Sequence, residues 1–292
     1  MMNEFTDLLT EALSGFQPFS IFVAVYLGLI VGSFLNVVIY RLPLQRSVVF
    51  PGSACGGCGV PLSWFQNLPL FSFVVQRGRC SSCGSPFSAR YFLVELLCGA
   101  GSVGILYWYG GLGWQWLYQF ALFAVAAAVF FTDLDHWIIP DEVNLFGVVF
   151  GLLLAWRQPS RGDTEIFFDL FGWAPSYPWS NLCSSLLGIV TGYAFFKFIQ
   201  FLGLILARQE AMGEGDVKYA AVLGAFLGWQ MSLVAFFLSF FLGALFALPL
   251  LVSKRGHGKD PIPFGTFMSL AAVPVGLAGS YVWEWMMFAE WI

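Results

Sequence analysis

The sequence predicts an all-α polytopic membrane protein, and three observations carry that reading. Of 292 residues, 59% are hydrophobic and only 10% charged, against about 45–50% and about 25% in soluble domains, so a water-soluble globule is excluded. The apolar residues gather into segments near the length of roughly 20 residues that a helix needs to cross a hydrocarbon core of about 30 Å. The 33 Phe, 12 Trp and 10 Tyr suit lipid contacts and membrane interfaces, where amphipathic rings settle. Membrane lipid is therefore an expected partner. Thirteen Lys and Arg against 17 Asp and Glu give a formal net charge of -4. That balance lacks the basic footprint of nucleic-acid binding, and no nucleic acid is expected as a partner.

About eight transmembrane helices are expected, because a helix satisfies its own backbone polar groups inside lipid. The first, 18–40, has Ser33, Asn36 and Arg41 at its late end. It lacks the charged n-region and A-x-A-like exit of a cleaved signal peptide, so it should be retained. The others are 91–109, 115–132, 138–156, 181–206, 217–229, 231–252 and 264–288. Two have the weakest pattern: 138–156 opens on a polar stretch, and 217–229 is short and starts at a charged residue. Lys and Arg accumulate in cytoplasmic segments near helix ends. With the N-terminus outside, Arg41, Arg46, Arg77, Arg79, Arg90, Arg208, Lys218, Lys254, Arg255 and Lys259 fall on the cytoplasmic side, and only Arg157 and Arg161 on the other. Lys197 lies within the fifth span. Both termini are accordingly expected outside, with 41–90 cytoplasmic and 157–180 an outer loop.

The 41–90 segment carries an internal repeat: CGGCGVPLS (Cys55 to Ser63) and CSSCGSPFS (Cys80 to Ser88) share C-x-x-C-G-x-P-(L/F)-S. A C-x-x-C turn brings two thiolates to one cation, and the Gly that follows lets the backbone bend so that amides point at sulfur. Two such turns predict one closed, structural four-cysteine zinc site made by Cys55, Cys58, Cys80 and Cys83. The 21 residues between Cys58 and Cys80 slightly exceed the usual spacing of about 15–20. Two disulfides or two redox pairs are the alternatives, and a reducing cytoplasm weighs against standing disulfides. The fold class is thus an all-α membrane bundle with a small cytoplasmic zinc-binding module. Its expected divisions are 1–40, the module 41–90 and a membrane core 91–292. Cys98 and Cys183 fall within spans and read as small buried hydrophobes.

The remaining chemistry lies in acids at the membrane edge. FFTDLDHWIIPDEV puts Asp133, Asp135, His136 and Asp141 between the third and fourth spans, and AMGEGDVKYA puts Glu214 and Asp216 between the fifth and sixth. An interfacial acid costs little, so Asp133 reads equally as a solvated loop acid and Asp216 as a partner of a helix N-terminus. Gly213 and Gly215, however, bracket Glu214 just before Asp216, and glycine lets another backbone or an extended peptide approach closely. If Asp133 faces Asp216, the two cannot both ionise readily and would share a proton. The ionised member could take a proton from water attacking a carbonyl, while the protonated member hydrogen-bonds that carbonyl and later helps protonate the leaving amine.

These residues in this order resemble the type IV prepilin peptidases, membrane aspartic proteases with a GxGD motif. The resemblance rests on GSFLNVVIYRLP (Gly32 to Pro43), the paired C-x-x-C motifs with GRC at Gly78 to Cys80, TDLDHWIIPD (Thr132 to Asp141), GEGD (Gly213 to Asp216) and IPFG (Ile262 to Gly265). It implies Asp133 and Asp216 as the catalytic pair, with no catalysis assigned to Asp135, Asp141 or Glu214. It further implies an inner-membrane enzyme that removes the leader of prepilins or pseudopilins at the cytoplasmic face. The same resemblance implies N-methylation of the new N-terminal residue with S-adenosylmethionine. No G-x-G-x-x-G follows a strand, so no residues are assigned to that donor. Thr132 departs from the family pattern, which has an apolar residue there, and 157–180 is an enlarged outer loop. A peptidase without methyl transfer is the alternative within the class. An ion or proton relay would need acids deep in the spans and interrupted helices in two inverted halves, and neither is present.

Overall fold

The structure, a computed structural model, describes residues 18–157, 178–206, 208, 212–252 and 263–288, with 249–252 and 280–288 given as backbone alone. The enlarged loop 157–180 therefore falls mostly outside the described residues, as do Lys254, Arg255, Lys259 and Ile262. Regular structure in the described residues is helical, apart from the isolated bridges Ala54 to Pro61 and Arg79 to Pro86. Two compact units divide the chain, Met1–Phe120 and Ala121–Ile292.

The first unit contains α1 (Pro18–Arg41), 3-10 turns at Leu42–Leu44 and Trp64–Asn67, α2 (Phe71–Val75) and α3 (Ala89–Tyr109). It also contains the start of α4 (Trp114–His136). Helices α1 and α3 pack backbone to backbone. A Cβ on Gly28 would lie 2.6 Å from the Cys98 carbonyl oxygen, and one on Gly32 would lie 2.8 Å from Glu95 Cα. Small residues permit that approach, and polar groups then hold it. Ser102 donates to the Ala24 carbonyl at 2.7 Å, and Asn36 donates to the Tyr91 carbonyl at 3.0 Å. Beyond α1, the Arg41 guanidinium donates to the carbonyls of Ser47, Pro51 and Gly52 and gathers the chain entering the cysteine module. The Ser88 hydroxyl accepts from the Arg90 amide and starts α3, and Gly110 in the left-handed region ends it. Cys98 is buried, as expected, and Cys183 on α6 is half-buried.

The second unit contains the end of α4, α5 (Asp141–Ala155), α6 (Trp179–Leu206), α7 (Glu214–Val252) and α8 (Phe264–Phe288). Helix α7 is not one straight rod, because Gly228 takes φ 75° and ψ 179°. In a straight helix Ala220 and Phe236 would stand about 24 Å apart. Instead Ala220 meets α6 at Gly192 while Phe236 packs edge-to-face against Phe196, one turn further along α6. The chain therefore reverses at Gly228, and the two legs lie together on α6. Gly188 and Gly224 make the contact possible, since a Cβ on either would overlap the other's carbonyl.

Among the described residues five helices are long and apolar enough to cross a membrane: Pro18–Leu44, Ala89–Tyr109, Trp114–His136, Trp179–Leu206 and Glu214–Leu248, with Phe264–Gly279 shorter. The expected spans 217–229 and 231–252 correspond to the two legs of α7. The expected 138–156 is trimmed to the 15 residues of α5, because Pro140 disfavours helix at the residue before it and serves as the N-cap. Helix α4 runs a turn beyond the expected end at 132, to His136, and this carries Asp133 inside a helix.

Candidate active site and metal centre

Within the second unit, Asp133 sits in the last turn of α4 and is only 5% exposed, so it is not a solvated loop acid. Its Oδ2 accepts two hydrogen bonds from α8: the Thr266 amide donates at 2.8 Å and the Thr266 hydroxyl at 3.2 Å. The Trp137 amide closes the end of α4 on the Asp133 carbonyl at 2.9 Å. Trp137 pays a conformational cost there, with φ 58°, a left-handed value uncommon for a bulky residue and concentrated at functional sites. Thr132, the departure from the family pattern, is fully buried and returns its hydroxyl to the carbonyls of Ala128 and Val129. It leaves the carboxylate beside it undisturbed.

Asp216 lies in the first turn of α7, where the unpaired amides of a helix start favour negative charge. The backbone of Gly213 and that of Gly265 both face its carboxylate, and Gly265 faces Asp133 as well. One amide of α8 thus addresses both acids. Oδ1 of Asp216 is buried without a protein partner. Glycines leave three sides of this arrangement uncrowded. A Cβ at Gly265 would lie 2.6 Å from Ile139 Cδ1 and 3.1 Å from Asp133 Oδ2, one at Gly213 would lie 3.2 Å from Asp216 Oδ2, and one at Gly215 would lie 3.2 Å from Ile139 Cβ. Asp133 and Asp216 line a single cavity of about 260 Å³ with Trp137, Ile138, Ile139 and the Gly213–Gly215 turn.

The other acids of the two motifs are engaged elsewhere. Asp141 is ion-paired with Lys218 at 2.7 Å, and Glu214 with Lys197 at 2.6 Å, the latter supported by Gln200. Asp135 is exposed on the far side of its helix turn from Asp133. Thr266 and Ile139 went unassigned at the sequence level. The signal that could have found them is the Gly-Thr pair closing the IPFG motif, since a glycine followed by a donor is what a carboxylate packed against a helix start requires.

In the first unit the four cysteines come together, with all their sulfur atoms within 4.8 Å of one another and Cys55 Sγ 3.7 Å from Cys83 Sγ. Tetrahedral zinc with bonds of about 2.3 Å to sulfur implies edges of about 3.8 Å, so the residues fit that metal. The repeat in sequence is a repeat in structure. The amide of Cys55 donates to the Val60 carbonyl and that of Cys80 to the Ser85 carbonyl, while Gly59 and Gly84 donate back to Cys55 and Cys80. Both glycines take the left-handed φ that these turns need, 70° and 72°. The Ser85 hydroxyl and amide hold the Cys83 thiol down to about 6, and the amides of Cys83 and Ser82 lower Cys80. Cys58, although the Val60 amide favours its thiolate, is pushed up to about 11 with the neighbouring Cys83 thiol as the leading opposing influence. Four thiolates this close repel, and full ionisation calls for a cation among them.

A family model described as the type IV leader peptidase family matches residues 120–248, and one described as the bacterial peptidase A24 N-terminal domain matches residues 26–109. The chain is 33% identical to the prepilin leader peptidase/N-methyltransferase of Aeromonas hydrophila, over 96% of its own length and 98% of that protein's. It belongs to the type IV leader peptidase family. A protein of the same name from Neisseria gonorrhoeae is 32% identical over 93% of this chain and 95% of its own. The one from Myxococcus xanthus is 36% identical over 82% of this chain, a match that spans 65% of the Myxococcus protein. No solved structure matches the chain.

Proposed function

We propose that this member of the type IV leader peptidase family cleaves the leader peptide of type IV prepilins or pseudopilins, with Asp133 and Asp216 as the catalytic pair, and N-methylates the new N-terminal residue. The observation that carries the cleavage reading is the convergence of two buried carboxylates on one cavity and one backbone amide. Thr266 occupies Asp133 Oδ2 with two donors, which leaves the other oxygen of that carboxylate for water or a proton. Asp216 Oδ1, buried and without a protein partner, is the complementary position, since buried polar atoms in native proteins are normally satisfied. One carboxylate takes the proton of the attacking water. The other hydrogen-bonds the scissile carbonyl and then protonates the departing amine. Ile138, Ile139 and Trp137 supply the apolar wall of the cavity.

Cys55, Cys58, Cys80 and Cys83 would hold one structural zinc ion, which supplies folding energy to the 41–90 module. The methyl donor is S-adenosylmethionine, as the names of the relatives suggest. The remaining organisation follows the distribution of Lys and Arg: about eight spans in the bacterial inner membrane, both termini outside, and the 41–90 module and the catalytic pair on the cytoplasmic side. Mass spectrometry of a model prepilin incubated with the purified protein, with and without S-adenosylmethionine, tests both reactions. Loss of the leader mass and a further gain of one methyl are expected. An intact substrate with folded protein would remove the peptidase reading.

A further inference from the structure

The first unit holds a cavity of about 670 Å³ that leader cleavage does not use. Its size falls in the range of about 300–1,000 Å³ typical of small-molecule sites. Three pieces of chain wall it: Ser33 on α1, Gln66 and Phe73 from the cysteine module, and Tyr91 and Glu95 on α3. Glu95 is 9% exposed, and its Oε2 accepts from the Leu70 amide at 2.8 Å. The Ser33 hydroxyl is its other neighbour. Among the described residues no cation stands within ion-pair distance of this carboxylate. A buried acid served only by neutral donors is costly, and a positive ligand beside it offsets that cost.

The rest of the lining narrows the kind of cation. Aromatic faces attract positive charge and stack on flat heterocycles, and both Phe73 and Tyr91 line the cavity. The Gln66 amide is already engaged, its Oε1 accepting from the Ser63 amide and hydroxyl and its Nε2 donating to the Ser81 hydroxyl, so it shapes the wall without reading the ligand. A nucleoside phosphate is disfavoured, because Glu95 repels it and the Arg41 guanidinium, which also lines the cavity, is already committed to three carbonyl oxygens. We propose that this cavity is the binding site of S-adenosylmethionine, with Glu95 as the counter-charge to the cationic donor and the aromatic rings of Phe73 and Tyr91 facing its adenosyl portion. The site rests on the N-methyltransferase reading above. It also accounts for a place of the cysteine turns in that activity, since Ser53, Ala54 and Gly56 around Cys55 belong to the cavity wall.

The test is equilibrium binding to the purified full-length protein of S-adenosylmethionine and of S-adenosylhomocysteine, whose sulfur is uncharged. Glu95→Gln keeps the size of the side chain and an acceptor for the Leu70 amide. It should weaken the sulfonium compound by about tenfold or more, the scale of losing one close charge pair, and weaken the homocysteine compound much less. Ser72→Trp, which fills the cavity from α2, should abolish binding of both. Leader cleavage by each variant reports that the protein is folded. Ultraviolet cross-linking of radiolabelled S-adenosylmethionine to the wild type should label peptides within residues 30–95. Label confined to residues 121–292 would overturn the site, as would unchanged binding in both variants of a wild type that binds and methylates. A wild type that cleaves but binds no donor would instead overturn the methyl-transfer reading on which the site rests.

Discussion

Gly265→Ala tests the proposed catalytic arrangement at its tightest point. The new Cβ would lie 2.6 Å from Ile139 Cδ1 and 3.1 and 3.3 Å from Asp133 Oδ2 and Cγ, where relaxed carbon contacts stand at about 3.5–4.0 Å. Ile139 Cδ1 is the end of a flexible side chain and can swing away. The Asp133 carboxylate has no such freedom, because the Thr266 amide and hydroxyl pin it at 2.8 and 3.2 Å. A retreat of a few tenths of an ångström stretches both bonds. Hydrogen bonds to charged groups contribute about 1.5–3 kcal/mol when intact, so partial loss costs about 1–2 kcal/mol. If that cost falls on the transition state, kcat drops roughly fivefold to thirtyfold. The helix itself tolerates the change, since alanine is favoured over glycine in helices by up to about 1 kcal/mol, and the melting temperature should stay near that of wild type. Single-turnover cleavage of a saturating model prepilin, read beside thermal unfolding, separates the two effects. Adding Ile139→Val removes Cδ1 and relieves only the cheaper clash, so little activity should return. Wild-type turnover in a folded Gly265→Ala protein would refute the packing of residue 265 on Asp133. Full rescue by Ile139→Val would move the cause from the carboxylate to the cavity wall.

Asp133→Asn and Asp216→Asn should each abolish cleavage while the protein inserts and keeps its metal, because Asn cannot accept water's proton; Asp135→Asn should keep substantial activity. Turnover by a folded Asp216→Asn protein, followed by mass spectrometry, is the result that would sink the pair. Elemental analysis should find about one zinc per chain in wild type and none after substitution of Cys55, Cys58, Cys80 and Cys83 together. Metal-free wild type with four rapidly alkylated thiols would dismiss the site. Cysteine tags placed near Gly52 and Ser160 should react from the cytoplasmic and outer sides respectively, and reversal of the two would overturn the topology.

The parts of this molecule legible in its sequence are those that short-range chemistry dictates. The paired C-x-x-C-G turns gave the four-cysteine cluster directly, since each turn is closed by its own amides and by a glycine at left-handed φ. The helices were legible as hydrophobic runs, but their ends were not. Pro140 cut one expected span down to α5, and α4 continued past the point where hydropathy faded. The reversal inside α7 was foreshadowed only as a gap between two short spans. What makes it possible is a single residue, Gly228, together with the glycine contact between α6 and the first leg, and no hydropathy pattern records either.

The end of α4 also decides which acids are available for chemistry. Once the helix reaches His136, Asp133 and Asp135 stand two residues apart and point to nearly opposite sides of one turn, so only one of them can face α8. Asp133 does, and it finds the Thr266 donors there; Asp135 is left at the surface. The same selection operates on the GEGD turn. Glu214 reaches outward to Lys197, and Asp216, two residues on, turns inward beneath the amides of Gly213 and Gly265. Each motif thus presents one acid to the cavity and disposes of its companion by helix phase. The family resemblance implies Asp133 and Asp216 from position in a motif. That these two and not their companions line the cavity follows from the spacing of two between acids on a structure that repeats every 3.6 residues. Shifting either acid by one residue should therefore be as damaging as removing it, since the carboxylate would be present in the chain but absent from the cavity.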